Sequence, residues 1–480
     1  MFNVCKSLVT TLTVFLLITT SLVGYAHNLE LSEITTYPNA DFEMLSADII
    51  IPADLSSIQQ KINDANPGDT ILIKTGIYKE NLIINKTGIT LQGEDKYNTI
   101  LDGCKAEGEG IKIKAEDVTV KNFTIKNFKN QQKEDIYSWD QAGIEIHVSN
   151  VTIIDNRFVD NGVGLELFSW VHNTTIANNV MINDGLLIGN YFDQPQSDFP
   201  EINPSSFLHN IYNNTVNGKP LYYFKNKKDF TVPTDAGQIT MVNCTNFAIK
   251  NLYMSNNDFS IILAYCSNSL IENLTITDTN GEFLLFACEN NTIQHNTITN
   301  SLKAICLEYK SKNNVIRYND LSKNYVGVSL FNNANNNTIY QNKIYGNHGR
   351  LAAGIEIVTY HGGTQKDNNI SENQIYDNPI GIRLRENTIK NNIYHNNITK
   401  NKIGIYIELE SNHNKITYNN FRKNLIQATF NGCSTNTWNN NYWNRPRILS
   451  KPIIGLKNFG KIKIPWINFD KNSALKPYEI

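Results

Sequence analysis

Residues 291–307 read NTIQHNTITNSLKAICL, and residues 314–330 read NVIRYNDLSKNYVGVSL. The two lines are one phrase written twice. It recurs from Asn150 to Asn424, with further clear copies NVTIIDNRFVDNGVGLELF at 150–168 and NKITYNNFRKNLIQATF at 414–430. Aligned on the first core isoleucine, the copies give a column containing Ile153, Ile176, Ile211, Ile249, Ile271, Ile293, Ile316, Ile339, Ile370, Ile393 and Ile416. Most steps are of 22 or 23 residues, with longer ones of 35, 38 and 31. Asparagine stands three residues on (Asn156, Asn296, Asn319) and again eight on (Asn161, Asn324, Asn401). Apolar residues stand five, twelve and fourteen on, as in Leu321, Val328 and Leu330.

A constant period of this length marks a solenoid. A helical solenoid needs apolar residues three and four apart over ten or more positions, whereas here Asn or Gly interrupts each apolar pair. The pieces are strands of a few residues, rich in Ile, Val, Thr and Tyr. Asparagine tolerates the left-handed backbone at tight corners, and its amide can bond to its equivalent one turn away. Three short strands and three corners per turn give a single-domain, all-β, parallel β-helix of about 22–23 residues per rung. Its isoleucines stack in buried files, with rungs about 4.8 Å apart.

The phrase resembles the right-handed parallel β-helix repeats of the pectin-lyase-like superfamily. Within it the chain is most similar to NosD-like proteins and the related carbohydrate-binding and sugar-hydrolase β-helix domains. The residues carrying this are ADLSSIQQKINDANPGDTILIKTGIYKENLIINK (53–86), NNTVNGKPLYYFKN (213–226) and NTWNNNYWN (436–444). The resemblance implies a right-handed coil. It leaves activity open, because the superfamily includes lyases, hydrolases, epimerases and adhesins. The NosD likeness alone suggests a maturation factor for a copper enzyme. Few Met residues, no His-x-x-His and no Cys-x-x-Cys argue against copper here.

The amino terminus, MFNVCKSLVTTLTVFLLITTSLVGYAH, reads as a secretory signal: Lys6, an apolar run Leu8–Val23, and a small-x-small site ending at Ala26. The alternative is an uncut membrane anchor. The expected divisions are a signal at 1–26, a linker at 27–47, a cap with the first rungs at 48–86, repeats at 87–433 and a carboxy-terminal cap at 434–480. Secretion, or a periplasmic or surface location, follows. Net charge is −2 with 18% charged residues, which argues against a nucleic-acid partner. An amphipathic helix is expected from Asp54, capped by Asp54 or Ser56, with Ile58, Ile62 and Ala65 on one face. Excess residues place loops at about 129–141, 191–207 and 225–237, and split the last excess between 346–353 and 361–367.

Residue thirteen of each rung points outward. In successive rungs it is Glu145 and then Glu166, so their backbones should lie about 4.8 Å apart. His147 shares that face. One loop brings Trp139 and Asp140, the next Asp193. Such paired carboxylates cannot both ionise freely, so one is expected to hold a proton. With Trp139 and Trp170 as stacking surfaces, the constellation suits a polysaccharide or surface glycan. It suits binding, catalysis by Glu145, Glu166, His147 and Asp140, or a Ca²⁺ ion. The same residues also read as an ordinary solvated outer face. Arg383 and Arg385 should pair across rungs with Glu356 and Glu408. Cys244, Cys266 and Cys288 fall in one column, either as a buried ladder of small residues or within disulfide reach. Outward tyrosines (Tyr318, Tyr340, Tyr345, Tyr376, Tyr394, Tyr406, Tyr418) read as strand surface or as a sugar-stacking wall.

Overall fold

The computed structural model describes residues 48–51, 57–104, 108–129, 141–190, 202–359, 363–460 and 462–480, all within the unit Ser46–Ile480. The amino-terminal signal and linker readings therefore lie outside the described residues. So do Trp139, Asp140 and Asp193.

The rung from Asn313 to Leu330 shows how sequence becomes structure. Asn313, Tyr318 and Lys323 are left-handed, with φ of 56°, 56° and 57°. Each precedes a buried asparagine: Asn314, Asn319 and Asn324. The two roles expected of one asparagine are thus divided between neighbours. Left-handed backbone in a residue with a Cβ is costly. The following amide offsets that cost with a fixed set of bonds. Asn319 Nδ2 donates to the Ile293 carbonyl (3.0 Å) and to Oδ1 of Asn342 (2.9 Å), while its own Oδ1 accepts from the Asn296 backbone N–H at 3.0 Å. The ladder continues through Asn373, Asn396, Asn419 and Asn441 to the Asp470 carboxylate. A second runs from Asn291 to Asn436, and a third joins Asn347, Asn378, Asn401 and Asn424.

Between corners, the strands pair in parallel and in register. Ile271 lies over Ile293, Ile293 over Ile316 and Ile316 over Ile339, all fully buried. The result is a parallel β-solenoid of about 16 turns with one short helix near its amino-terminal end. The first-strand sheet has a seven-stranded part ending at Asn210–Tyr212 and a ten-stranded part beginning at Lys228–Thr231. Strands Thr275–Phe286 and Thr297–Glu308 run through from the second sheet into the third.

The 38-residue step does not hold the expected loop at 225–237. Thr231 pairs with Ala248, so Val232 is a buried member of the isoleucine column, and an extra rung is folded into the step. At this seam the third-sheet strand Leu186–Asn190 ends its sheet. The Gln238 amide pairs with it there as a strand backbone would, accepting from Leu186 N–H at 3.0 Å and donating to Leu186 C=O at 2.6 Å.

The helix is Ile58–Asp64, capped by Ser57 rather than by Asp54 or Ser56. Glu80, on the first rung, accepts from Ile58 N–H (3.1 Å) and Gln59 N–H (3.3 Å), which fixes the start of the helix there. At the other end the parallel register runs past Ser434, through Thr437–Asn439 and Tyr442–Trp443. The antiparallel hairpin Lys451–Phe459 and Ile462–Asp470 follows.

Cys244, Cys266 and Cys288 are buried and free. Each thiol donates to a carbonyl of the preceding rung, as Cys288 does to Leu263 at 3.2 Å. Ser311 does the same to Leu285 at 3.0 Å, so the column selects a small donor rather than a disulfide.

Candidate functional site

Strand register places Glu145 directly against Glu166, with Lys112 on the other side of Glu145. Neither acid is solvated: Glu145 is 5% and Glu166 3% exposed, which overturns the open outer-face reading. The Lys112 ammonium lies 2.8 Å, and His147 Nε2 2.9 Å, from the same Glu145 oxygen. Burial works against ionisation of Glu145, but His147 and Lys112 outweigh it and hold its carboxyl below the usual range. Glu145 is therefore ionised, and Lys112 stands where a bound cation would. Trp170 is committed to packing: it donates to the His147 carbonyl at 2.8 Å and stacks on Phe168, ring centroids 4.6 Å apart.

Farther along the same outward file lie Leu284, Cys306, Ser329, Glu356, Arg383 and Tyr406. Much of this face is covered. The segment after the second insertion forms a 3-10 turn, Pro204–Phe207, and Phe207 packs on Phe286 with centroids 5.1 Å apart. Tyr265 anchors the segment by donating to the Ile202 carbonyl at 2.5 Å. Under cover, charges must be paired. Lys303 Nζ lies 2.5 Å from Glu282 Oε1. Burial would lower the Lys303 pKa, but Glu282, with Cys306 and Glu308, holds the ammonium well above the usual lysine range. Arg383 sits between two acids, 3.3 Å from Glu356 and 2.6 Å from Glu408. Arg385 pairs with Glu386 at 3.0 Å. The register expected for both arginines holds, but both cross-rung contacts converge on Arg383. The Lys303 cluster escaped the sequence reading. Its signal was the single charged residue at rung position ten, Lys303, directly across from Glu282.

The open surface lies elsewhere. A groove of about 910 Å³ crosses the first-strand sheet over five successive strands, from Asp229 to Arg317. Its floor includes Phe230 and Phe247, and the corner residues Asn246, Asn268 and Asn290 project along it. Beside it runs a linked file. Lys250 pairs with Glu272 (2.9 Å), Gln294 donates to Glu272 (2.7 Å), and Arg317 donates to Gln294 (2.9 Å) and to the Tyr340 hydroxyl (2.7 Å). These contacts hold the side chains in place before any ligand arrives. The outward tyrosines do not make one wall. They separate into short stacks, such as Tyr345 on Tyr376 (4.8 Å) and His295 on Tyr318 (5.1 Å).

This architecture is that of a right-handed parallel β-helix protein. The chain belongs to the family described as right handed beta helix region, which matches residues 51–181 and 202–344. Residues 355–459 match the family described as periplasmic copper-binding protein (NosD). No curated protein sequence matches the chain. Among solved structures, the chain is similar to the A-module of mannuronan C-5 epimerase AlgE6 from Azotobacter vinelandii (13% identity, TM-score 0.33, covering 79% of this chain and 92% of that one). It is also similar to a hyperthermoactive exopolygalacturonase from Thermotoga maritima (10% identity, TM-score 0.35, covering 88% and 94%). These likenesses concern fold alone.

The one candidate metal group among the described residues does not fit copper. Among the described residues, one group of three gathers metal-ligand atoms within 4.8 Å of one another: Glu282, Cys306 and Glu308. It offers one thiol and two carboxylates, without imidazole or thioether, and the Lys303 ammonium already occupies its centre of negative charge.

Proposed function

We propose that the protein is exported and binds a polysaccharide or cell-surface glycan along the groove from Asp229 to Arg317. The observation that carries this is the groove itself: open, about 910 Å³, and floored by the half-buried Phe230, with Phe247 buried beneath, among amide and hydroxyl side chains. Four strand spacings make it about 19 Å long, which accommodates several sugar rings of an extended chain. A ring edge with amides fixed beside it suits a ligand that has apolar faces and hydroxyl edges. The test is binding of purified protein to a panel of neutral and uronate polysaccharides. Arg317→Ala and Gln294→Ala should weaken binding about tenfold while Glu145→Gln leaves it unchanged. No binding across the panel overturns the proposal.

A second reading, polysaccharide cleavage or epimerisation, rests on the Glu145–His147 contact of 2.9 Å, a carboxylate–imidazole pair suited to proton transfer. Release of unsaturated or reducing ends that is abolished by Glu145→Gln would establish it. Turnover unaffected by that change would move the chemistry elsewhere.

A further inference from the structure

The chain leaves its last parallel rung as an antiparallel hairpin, Lys451–Phe459 with Ile462–Asp470. Its base is anchored, with Phe430 paired to Gly455 and Asn431 to Leu456. Pleating sorts the side chains onto two faces. On one, Ile453 and Asp470 are buried, and Asp470 accepts from Asn441 and from the Trp443 indole at 2.9 Å, so this face closes the core. On the other, Pro452 lies opposite Phe469, Ile454 opposite Ile467, and Leu456 opposite Pro465. Ile454 is 65%, Ile467 48% and Phe469 50% exposed, and at the tip Phe459 and Ile462, which belong to the first face, reach 72% and 67%. An outward strand face in water is normally polar, and a contiguous apolar one marks a contact surface.

Charge selects the partner. Residues 444–480 carry eight lysines and arginines against two acids, Asp470 and Glu479, in a chain whose net charge is −2. Asp470 is buried, so the charge that the hairpin leaves accessible is positive: Lys463 on the apolar face, and Lys451 and Lys457 on the face behind it. Lys457 lies over the Trp466 ring at 4.3 Å, the arrangement of an aromatic held beside a cation. A second copy meeting this face would set like charges together. Pro465, on the outer strand, removes a donor from the edge that strand addition would need. An open apolar face with lysine beside and behind it fits the boundary of a bilayer bearing anionic headgroups.

We propose that this hairpin docks the protein on an anionic lipid surface, with the Ile454–Ile467 face in the headgroup boundary and lysines on the phosphates. The test sediments full-length protein with vesicles of phosphatidylcholine alone and of phosphatidylcholine with phosphatidylglycerol, at low and high salt. Binding is expected to the anionic vesicles and to fall with salt. The double changes Lys457→Glu/Lys463→Glu and Ile454→Ser/Ile467→Ser should each lower the partition coefficient roughly tenfold. Ile454, Ile467 and Lys463 lie on the open face, while Lys457 is half-buried on the opposite one, so melting temperature is measured beside partition and separates lost docking from lost folding. Equal binding to both vesicle types overturns the proposal. Partition unchanged by both variants also overturns it, and assigns any binding to the apolar run Leu8–Val23. A solution dimer lost in Ile454→Ser/Ile467→Ser, with vesicle binding unchanged, makes a second copy the occupant and likewise overturns it.

Discussion

Asp184 stands one rung beyond Asn161, in a file that asparagine fills elsewhere, and its carboxyl accepts from Asn161 N–H at 2.7 Å and from Asn161 Nδ2 at 2.6 Å. An asparagine in this file also donates to the carbonyl of the rung behind it, as Asn161 does to Ile125 at 3.1 Å. A carboxylate cannot donate; a protonated acid can. Burial, and then the neighbouring Asp258, push the Asp184 pKa well above the usual carboxylate range. Asp258 is itself raised to about 7 by burial, against the pull of the Gly164 and Gly185 N–H groups that it accepts at 2.8 and 2.6 Å.

These raised values set the sign of a pH effect. An acid whose folded pKa exceeds its unfolded one stabilises the fold below the unfolded value, and loses that contribution as pH rises through the folded one. Stability should therefore fall between about pH 4 and pH 7. Asp184→Asn keeps the acceptor, supplies the donor and removes the charge. It should stabilise the protein by about 1–3 kcal/mol at pH 7 and flatten the dependence. Thermal melts from pH 4 to 8 measure both, and a less stable variant at pH 7 would refute the account of a protonated Asp184.

Asn319→Ala should be far costlier than an average substitution. It strands the Asn296 amide and the Ile293 carbonyl in a dry interior. Each unsatisfied group costs about 1–3 kcal/mol, so denaturant titration should show a loss of several. Asn319→Asp should be destabilised at neutral pH and recover as the solution is acidified.

Arg383 and Arg385, two residues apart, should differ sharply. Arg383→Ala leaves Glu356 and Glu408 buried without their cation, a loss of about 3–5 kcal/mol. Arg385 is more exposed and pairs with its chain neighbour Glu386, so Arg385→Ala should cost less than about 1 kcal/mol. Urea midpoints of the two variants compare them, and equal losses would mean that the Glu356–Arg383–Glu408 arrangement is not a unit.

Thiol labelling distinguishes ladder from disulfide. Cys104 is exposed, while Cys244, Cys266, Cys288, Cys306 and Cys433 are buried and free. Of these six, only Cys104 should be alkylated rapidly in the native protein, the others following on unfolding, and reductant should not change the melting temperature. Peptide mapping by mass spectrometry reads the sites.

Glu145 titrates in the opposite sense to Asp184. Its pKa is depressed in the fold, so its contact with Lys112 and His147 is present above about pH 4 and lost as pH falls through the lowered value. Glu145→Gln should therefore destabilise the protein at neutral pH and converge with wild type in acid.

How much was legible follows from range. The isoleucine column and the Asn positions repeat along the chain, so the rung, its corners and the Glu145–Glu166 register could be read by counting. Val232 could not, because its rung is short and carries Phe230 and Val232 where the phrase has asparagine and isoleucine. Glu80 as a helix cap, Gln238 as a substitute strand and Phe207 as a cover all depend on chain segments returning from insertions of no fixed period. The site suffered most. Position thirteen was correctly outward, but outward proved not to mean wet.

The amino-acid sequence by itself determined the coil. A period of 22 or 23 residues with asparagine at fixed places admits one economical stacking, since each amide can be satisfied only by its copy one rung away. The tertiary structure alone decided which outward faces meet water. Glu145, Lys303 and Arg383 are buried while the groove at Asp229–Arg317 is open, although both faces carry the same repeat. Local pattern carries no information about that, because covering a face is a contact between parts of the chain that share no period.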